Sequence, residues 1–313
     1  MSRMRLVVPD LISPSYFPAI AAVELGFAAQ EGLSVALELR YPVTTAARAL
    51  RAGEIDFLAG SAHAALYAFP EWAGARLLTA LSQHTYWFLV MHRRLGLARG
   101  DLASVAEVRI GAAPGPDLAL HQMLRDAGVD PVARNIQIAP VPGAAAPSVS
   151  FGLTAYEALA QGRIDGFWAN GMGAQMAVRQ QVGTIVVDAR RGDGPAQTSS
   201  YTFPALIVTE RLCTGAPAAA RAMGRAVIRA QEALRATPEL ARQAAERRFP
   251  PTETELISEL IRRDAPFYQP EISPQTFAGL DRFARAAGLA KVPADYHTVV
   301  AAGHGARPDP GQP

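Results

Sequence analysis

The chain has 313 residues, 50% of them hydrophobic and 19% charged. That excludes global disorder and exceeds the usual size of a single core, so two domains or one large α/β domain are expected. Thirty basic against 28 acidic residues leave a net charge of +2, which argues against a dedicated nucleic-acid binder. The one cysteine, Cys213, rules out an intramolecular disulfide and any CxxC motif; the one lysine, Lys291, leaves Schiff-base chemistry a single candidate near the C-terminus.

The chain opens on a short apolar run, Leu6-Val7-Val8, then a cluster of turn formers: Pro9, Asp10, Pro14 and Pro18. This reads as a buried strand and a loop, not as the apolar region of a signal peptide. No apolar run is long enough to span a membrane. Helical spacing follows over 19–30, with Gly26 as a flaw, and alternation over 33–39 reads as a strand. Thr44 and Thr45 offer an N-cap to a helix ending at Gly53, and 55–59 is the next buried strand. This βαβαβ order predicts a parallel sheet with right-handed crossovers.

The middle repeats the theme. Strands are expected over 108–113, 136–139, 166–169 and 183–187, and helices over 116–127 and 155–161. The segments 86–92 and 201–208 read as crossing strands. From Pro217 the pattern turns helical, over 218–236, 238–248, 253–264 and 274–287, with proline or glycine at the joints. Residues 303–313 read as a frayed tail.

One internal echo stands out. Ala49-Leu50-x-x-Gly53-x-Ile55-Asp56 recurs as Ala158-Leu159-x-x-Gly162-x-Ile164-Asp165. Any joint from a helix into a buried strand looks somewhat like this; the sharper reading is two similar α/β lobes, one per copy.

Pro14-Ser-Tyr-Phe-Pro18, Glu24-Leu-Gly-Phe27, Glu31-Gly-Leu-Ser-Val35, the first echo through Phe57, and Gly60-Ser61 together resemble type II solute-binding proteins. The branch is the nitrate/sulfonate/taurine group with its thiamin-pyrimidine-precursor members. Ile110-Gly-x-x-Pro114-Gly115, Gly128-Val-Asp-Pro131 and the second echo extend the likeness over roughly 4–215. The resemblance implies an α/β fold of two lobes, each a mainly parallel sheet flanked by helices, with a small ligand in the cleft between them. Lobe 1 is expected over 1–87 plus 200–302, lobe 2 over 88–199, and a disordered tail over 303–313. An ABC permease and ATPase are the implied partners of a monomeric binding protein. The location is periplasmic if an export signal was removed or lies outside this sequence, and otherwise cytoplasmic.

In such sheets ligands sit beyond the carboxyl ends of the strands, where helix N-termini favour anions without a lysine. The loops at those points supply the candidates. Ser13, Ser15 and Tyr16 follow the first strand; Thr44 follows the second; Gly60, Ser61 and His63 follow the third. Gln83 and His84 precede the first crossing strand at the expected rim. Pro114 and Gly115 open a helix in lobe 2, Trp168 and Asn170 follow a strand there, and Tyr201 stands near the return crossing. Each has a plain structural alternative as a turn, a cap or a core side chain. Asp117, a natural cap, puts an acid where an anion should bind, so the expected ligand is a neutral or singly charged, ring-containing molecule. No cofactor and no metal site is expected.

Enzymes share this fold, so a cytoplasmic pyrimidine-synthase-like, desulfinase-like or decarboxylase-like activity on a small aromatic substrate stands as the alternative. The pyrimidine-synthase members use a pyridoxal-binding lysine and a cysteine-rich motif, and neither is in the leading part of this chain. Cys213 lies beyond the return strand, and no nucleophile elbow, zinc motif or Walker loop occurs. His63 and His84 with an acid remain the only acid–base set in those loops.

Overall fold

The computed structural model describes residues 3–142 and 150–301. The tail expected over 303–313 lies outside them.

The chain builds two sheets of five strands with the same spatial order. The first half runs β1 (Met4–Val8), α1 (Phe17–Glu24), α2 (Phe27–Gln30), β2 (Val35–Leu39), α3 (Val43–Ala52), β3 (Phe57–Ser61) and β4 (Ala75–Ala80). The chain then crosses into β5 (Phe88–His92), β6 (Val108–Ala112), α4 (Asp117–Asp126), β7 (Ile136–Ala139), α5 (Phe151–Ala160), β8 (Gly166–Ala169), α6 (Gly171–Arg179) and β9 (Gly183–Asp188). It returns through β10 (Pro204–Thr209). The remainder is helical: α7 (Glu210–Gly215), α8 (Pro217–Ala236), α9 (Leu240–Ala245), α10 (Pro251–Asp264), α11 (Pro274–Ala286) and α12 (Tyr296–Val299).

The orders are β2-β1-β3-β10-β4 and β7-β6-β8-β5-β9. In each sheet one strand runs against the others: β10 in the first, β5 in the second. These are the strands on which the chain enters each sheet from the other. The sheets are thus mainly parallel in direction, as expected, with antiparallel pairings confined to the crossing strands.

The repeated octapeptide has a common mechanical role. Gly53 and Gly162 take left-handed φ values of 74° and 69° to end their helices. The aspartate three residues on then clamps the start of the sheet's central strand. Asp56 Oδ2 accepts from the Arg5 amide at 2.8 Å, and the Asp56 amide donates to the Arg5 carbonyl at 3.1 Å. In the second copy Asp165 Oδ2 accepts from the Arg109 amide at 3.0 Å, and the Asp165 amide donates to the Arg109 carbonyl at 2.8 Å. Arg109 and Arg94 both pair with the Asp165 carboxylate, and the Arg109 hydrogen bond above all lowers its pKa.

Several boundaries differ from the sequence reading. Gly26, at φ 79°, separates α1 from α2 outright. Pairing with β10 (Pro204↔Ser61, Ala205↔Gly60) extends β3 through Ser61, so Gly60 and Ser61 are strand residues, not loop. Pro42, not Thr44, precedes the first turn of α3. Strand β4 and helix α6 were not anticipated. Helix α8 packs on α1 and α2, whereas α10 also meets α6, so the helical tail touches both halves. One apolar cluster joins Leu6 and Phe17 of the first half to Trp168, Met172 and Val187 of the second.

The clamp yields a prediction. Asp165→Ala removes charge-assisted bonds to backbone and arginine and lowers unfolding free energy by about 1–3 kcal/mol. Asp56→Ala, with fewer partners, costs less. Urea denaturation reads both, and equal stability of wild type and Asp165→Ala would refute the role.

Candidate functional site: a cavity between the two sheets

Parallel strands of both sheets end on a common crevice. It encloses about 440 Å³ of non-protein space, part of it open to solvent. From the first half come Pro9, Asp10, Ser13 and Tyr16 after β1, and Tyr41 and Val43 after β2. Tyr86 and Trp87 arrive on the crossing into β5. From the second half come Ala113, Pro114 and Pro116 after β6, Phe151 at the start of α5, and Trp168, Ala169 and Asn170 at the end of β8. Aromatic rings therefore dominate the lining.

The rings are locked against one another. Tyr16 and Tyr86 share a hydroxyl–hydroxyl bond of 2.5 Å and meet edge to face at 5.6 Å. Trp87 packs on Tyr86 at 4.6 Å and on Trp168 at 5.9 Å, and the Trp168 indole donates to the Pro116 carbonyl at 3.1 Å. Tyr41 lies nearly parallel to Phe151, at 6.1 Å, across the crevice. The buried hydroxyls of Ser13 and Tyr41 have no hydrogen-bond partner among the described residues.

Asp10 is the ionisable carboxylate of the lining. Its Oδ1 accepts from the Ile12 amide at 2.8 Å; its Oδ2 accepts from the Ser150 hydroxyl at 2.8 Å and the Asn170 amide at 2.7 Å. Asn170 in turn caps α6 by accepting from the Met172 and Gly173 amides. Burial outweighs these bonds and pushes the Asp10 carboxyl up to about 6.

A second tie across the crevice is His63. Its ring is fully buried; Nδ1 meets Thr202 Oγ1 at 3.0 Å and Nε2 meets the Gly115 carbonyl at 3.2 Å. Burial lowers its pKa to about 4, so the ring is neutral. Gly115, at φ +105°, lets its loop lie on α3: a Cβ there would stand 2.9 Å from Val43. Behind the aromatic wall, buried Arg190 pairs with Asp264 at 3.1 Å and donates to Ser15 at 3.3 Å and Ser82 at 2.8 Å.

Of the residues singled out in the sequence, Ser13, Tyr16, Pro114, Trp168 and Asn170 stand on the lining. Thr44, Gly60, Ser61, His63 and Gly115 are packed just behind it, and Ser15 is engaged by Arg190. Gln83, His84 and Tyr201 do not stand on this lining; contacts elsewhere hold them. Gln83 donates to the Gln269 and Glu271 carbonyls at 2.9 and 2.8 Å. His84, at φ 66°, turns its ring edge to Phe267. Tyr201 donates to Asp126 and stacks on Phe283. Asp10, Tyr41, Tyr86, Trp87 and Phe151 were missed as lining. Asp10 and Tyr41 directly follow strands, which is the signal that could have found them. Among the described residues no His, Cys, Asp and Glu cluster fits a metal, and no helix is long and apolar enough to cross a membrane.

Comparison with known proteins then places the chain. The NMT1-like family model matches residues 14–248, so the chain belongs to the NMT1-like family. No curated protein matches it. Among solved structures, a protein from Bordetella bronchiseptica RB50 is similar at 18% identity and TM-score 0.78, over 97% of this chain and 96% of that one. The alkanesulfonate-binding protein SsuA from Xanthomonas axonopodis pv. citri, bound to MOPS, is similar at 14% identity and TM-score 0.73, over 96% and 98%. A mutant of the desulfurization enzyme DszB in complex with biphenyl-2-sulfinic acid is similar at 15% identity and TM-score 0.64, over 97% and 98%. At such identities the likenesses establish the two-lobed fold.

Asp10 and His63 pull the pH dependence of stability in opposite directions. Asp10, raised from 3.8 to about 6, contributes most in acid and loses that contribution as pH rises through 6. His63, lowered from 6.5 to about 4, contributes fully above 6.5 and loses it as pH falls through 4. Each of these changes is worth on the order of 3 kcal/mol. Asp10→Asn is expected to steepen the loss of stability from pH 6.5 to 4, and His63→Gln to reverse it relative to wild type. Urea titrations across that range measure the slopes; identical slopes in both variants would refute the assignment.

Proposed function

We propose that this member of the NMT1-like family is a solute-binding protein that closes its lobes over a small, ring-containing ligand, neutral or singly charged. It hands that ligand to an ABC-type importer, and so works on the outer side of the membrane, in the periplasm. The observation that carries the reading is the crevice lined from both sheets by Tyr16, Tyr41, Tyr86, Trp87, Phe151 and Trp168. Rings contributed by both halves reward closure around a flat guest, because only the closed form contacts both of its faces. The alkanesulfonate-binding relative supports the transport role.

A second reading, a desulfinase-like or decarboxylase-like enzyme, draws on the likeness to DszB. Among the described residues the lining carries no cysteine, lysine or histidine. Cys213 sits half-buried on α7, where burial pushes its thiol up, and His63 has both ring nitrogens engaged. Binding without turnover is therefore the preferred function.

Native mass spectrometry of gently purified protein tests the proposal, with a small molecule released on denaturation as the expected result. Apo protein that also shows no thermal shift with a panel of aromatic heterocycles would end it. Conversion of the released molecule by the protein would favour the enzyme. Tyr41→Phe is expected to weaken binding of that molecule by about 0.5–1.5 kcal/mol, one hydrogen bond, with Tm unchanged because its hydroxyl has no partner among the described residues. Unaltered affinity in calorimetry removes Tyr41 from the contacts.

A further inference from the structure

We propose that Asp10 is the specificity-determining residue of this cleft. From the first half it fills the oxyanion position at the adjoining N-termini of α5 and α6, turning the cleft away from anionic ligands toward uncharged or donor-bearing rings. The inference rests on the solute-binding reading and names the ligand class it selects.

Both helices start at the crevice edge of the second sheet, where unpaired amides and the positive end of the helix dipole attract an anion. They are pressed together by two glycines. A Cβ on Gly173 would stand 2.3 Å from the Gly152 carbonyl, and one on Gly152 would stand 2.7 Å from Asn170 Oδ1. The donors bonded to Asp10 at this point are the Ser150 hydroxyl and the Asn170 side-chain amide. With the Ile12 amide they give the carboxylate three hydrogen bonds, which engage both of its oxygens. A second anion would find those donors spent and a carboxylate in contact.

Nothing else in the lining would offset that repulsion. It holds no Arg, Lys or His. The arginines behind it are committed: Arg190 and Arg263 both pair with Asp264. The other ionisable groups facing Asp10 are Tyr16, Tyr41 and Tyr86, whose phenols burial and the Asp10 charge keep protonated. Among the described residues, the lining leaves without a partner the Ser13 hydroxyl, fully buried, and the Tyr41 hydroxyl. These are neutral groups that donate or accept, matched to a heteroatom-bearing ring.

The test uses the full chain as wild type, Asp10→Ala and Asp10→Asn. Acetate and methanesulfonate are the probes, at constant ionic strength with chloride as control. Thermal unfolding and calorimetry are the readouts, and circular dichroism checks folding. Wild type and Asp10→Asn, in which the position stays filled, are expected not to respond. Asp10→Ala is expected to lose thermal stability and regain it with either anion, binding at least tenfold more tightly than wild type. A folded Asp10→Ala indifferent to both anions overturns the proposal. So does wild type binding methanesulfonate at micromolar concentration, an outcome that needs no variant to fold. Absence of a carried solute would instead count against the solute-binding reading, so the two failures are separable.

Discussion

The arrangement depends on charge carried across the crevice and satisfied on the far side. A carboxylate on the loop after β1 is buried, and its partners Ser150 and Asn170 belong to the opposite sheet. Burying an ionised group is unfavourable unless donors replace its water. The first half therefore cannot keep Asp10 charged and dry by itself; the second half must be seated on it. Arg190 follows the same logic in reverse, leaving β9 of the second sheet to reach Ser15, Ser82 and Asp264. His63 adds an uncharged version, joining Thr202 to Gly115.

Around these ties the two halves follow one plan. Identical strand order, one reversed strand per sheet and the Asp56 and Asp165 clamps show the same solution used twice. The reversed strands are the crossings, so each sheet's antiparallel seam adjoins the segments that join the halves. The remaining strands point their carboxyl ends at the other half. Both walls carry aromatic rings; the loops differ in that the first half adds the Asp10 carboxylate and the second adds the helix starts at Phe151 and Asn170.

The chemical character of those walls separates this chain from what its fold alone suggests. The fold presents helix N-termini to the crevice, an arrangement suited to oxyanions. Here an internal carboxylate already answers them, and aromatic rings, prolines and small side chains make up most of the rest of the surface. The family's architecture is kept while the selectivity is set by a side chain at the end of the first strand.

The sequence by itself determined the α/β alternation, the lobe repeat and most strands, because apolar periodicity and the glycine that ends a helix are local properties. It also placed Ser13, Tyr16, Pro114, Trp168 and Asn170 at strand ends, where the cavity opens. Strand β4 and the extension of β3 through Ser61 were illegible, since β10, distant in the chain, creates both by pairing. Gln83, His84 and Tyr201 looked like rim residues because polarity beside a crossing is visible in sequence. That their partners are Gln269, Phe267 and Asp126 is not. Asp10 read as a turn former for the same reason: only the tertiary structure sets it against the start of α5, residues 140 positions away, where burial and donors make it a buried charge of the cleft.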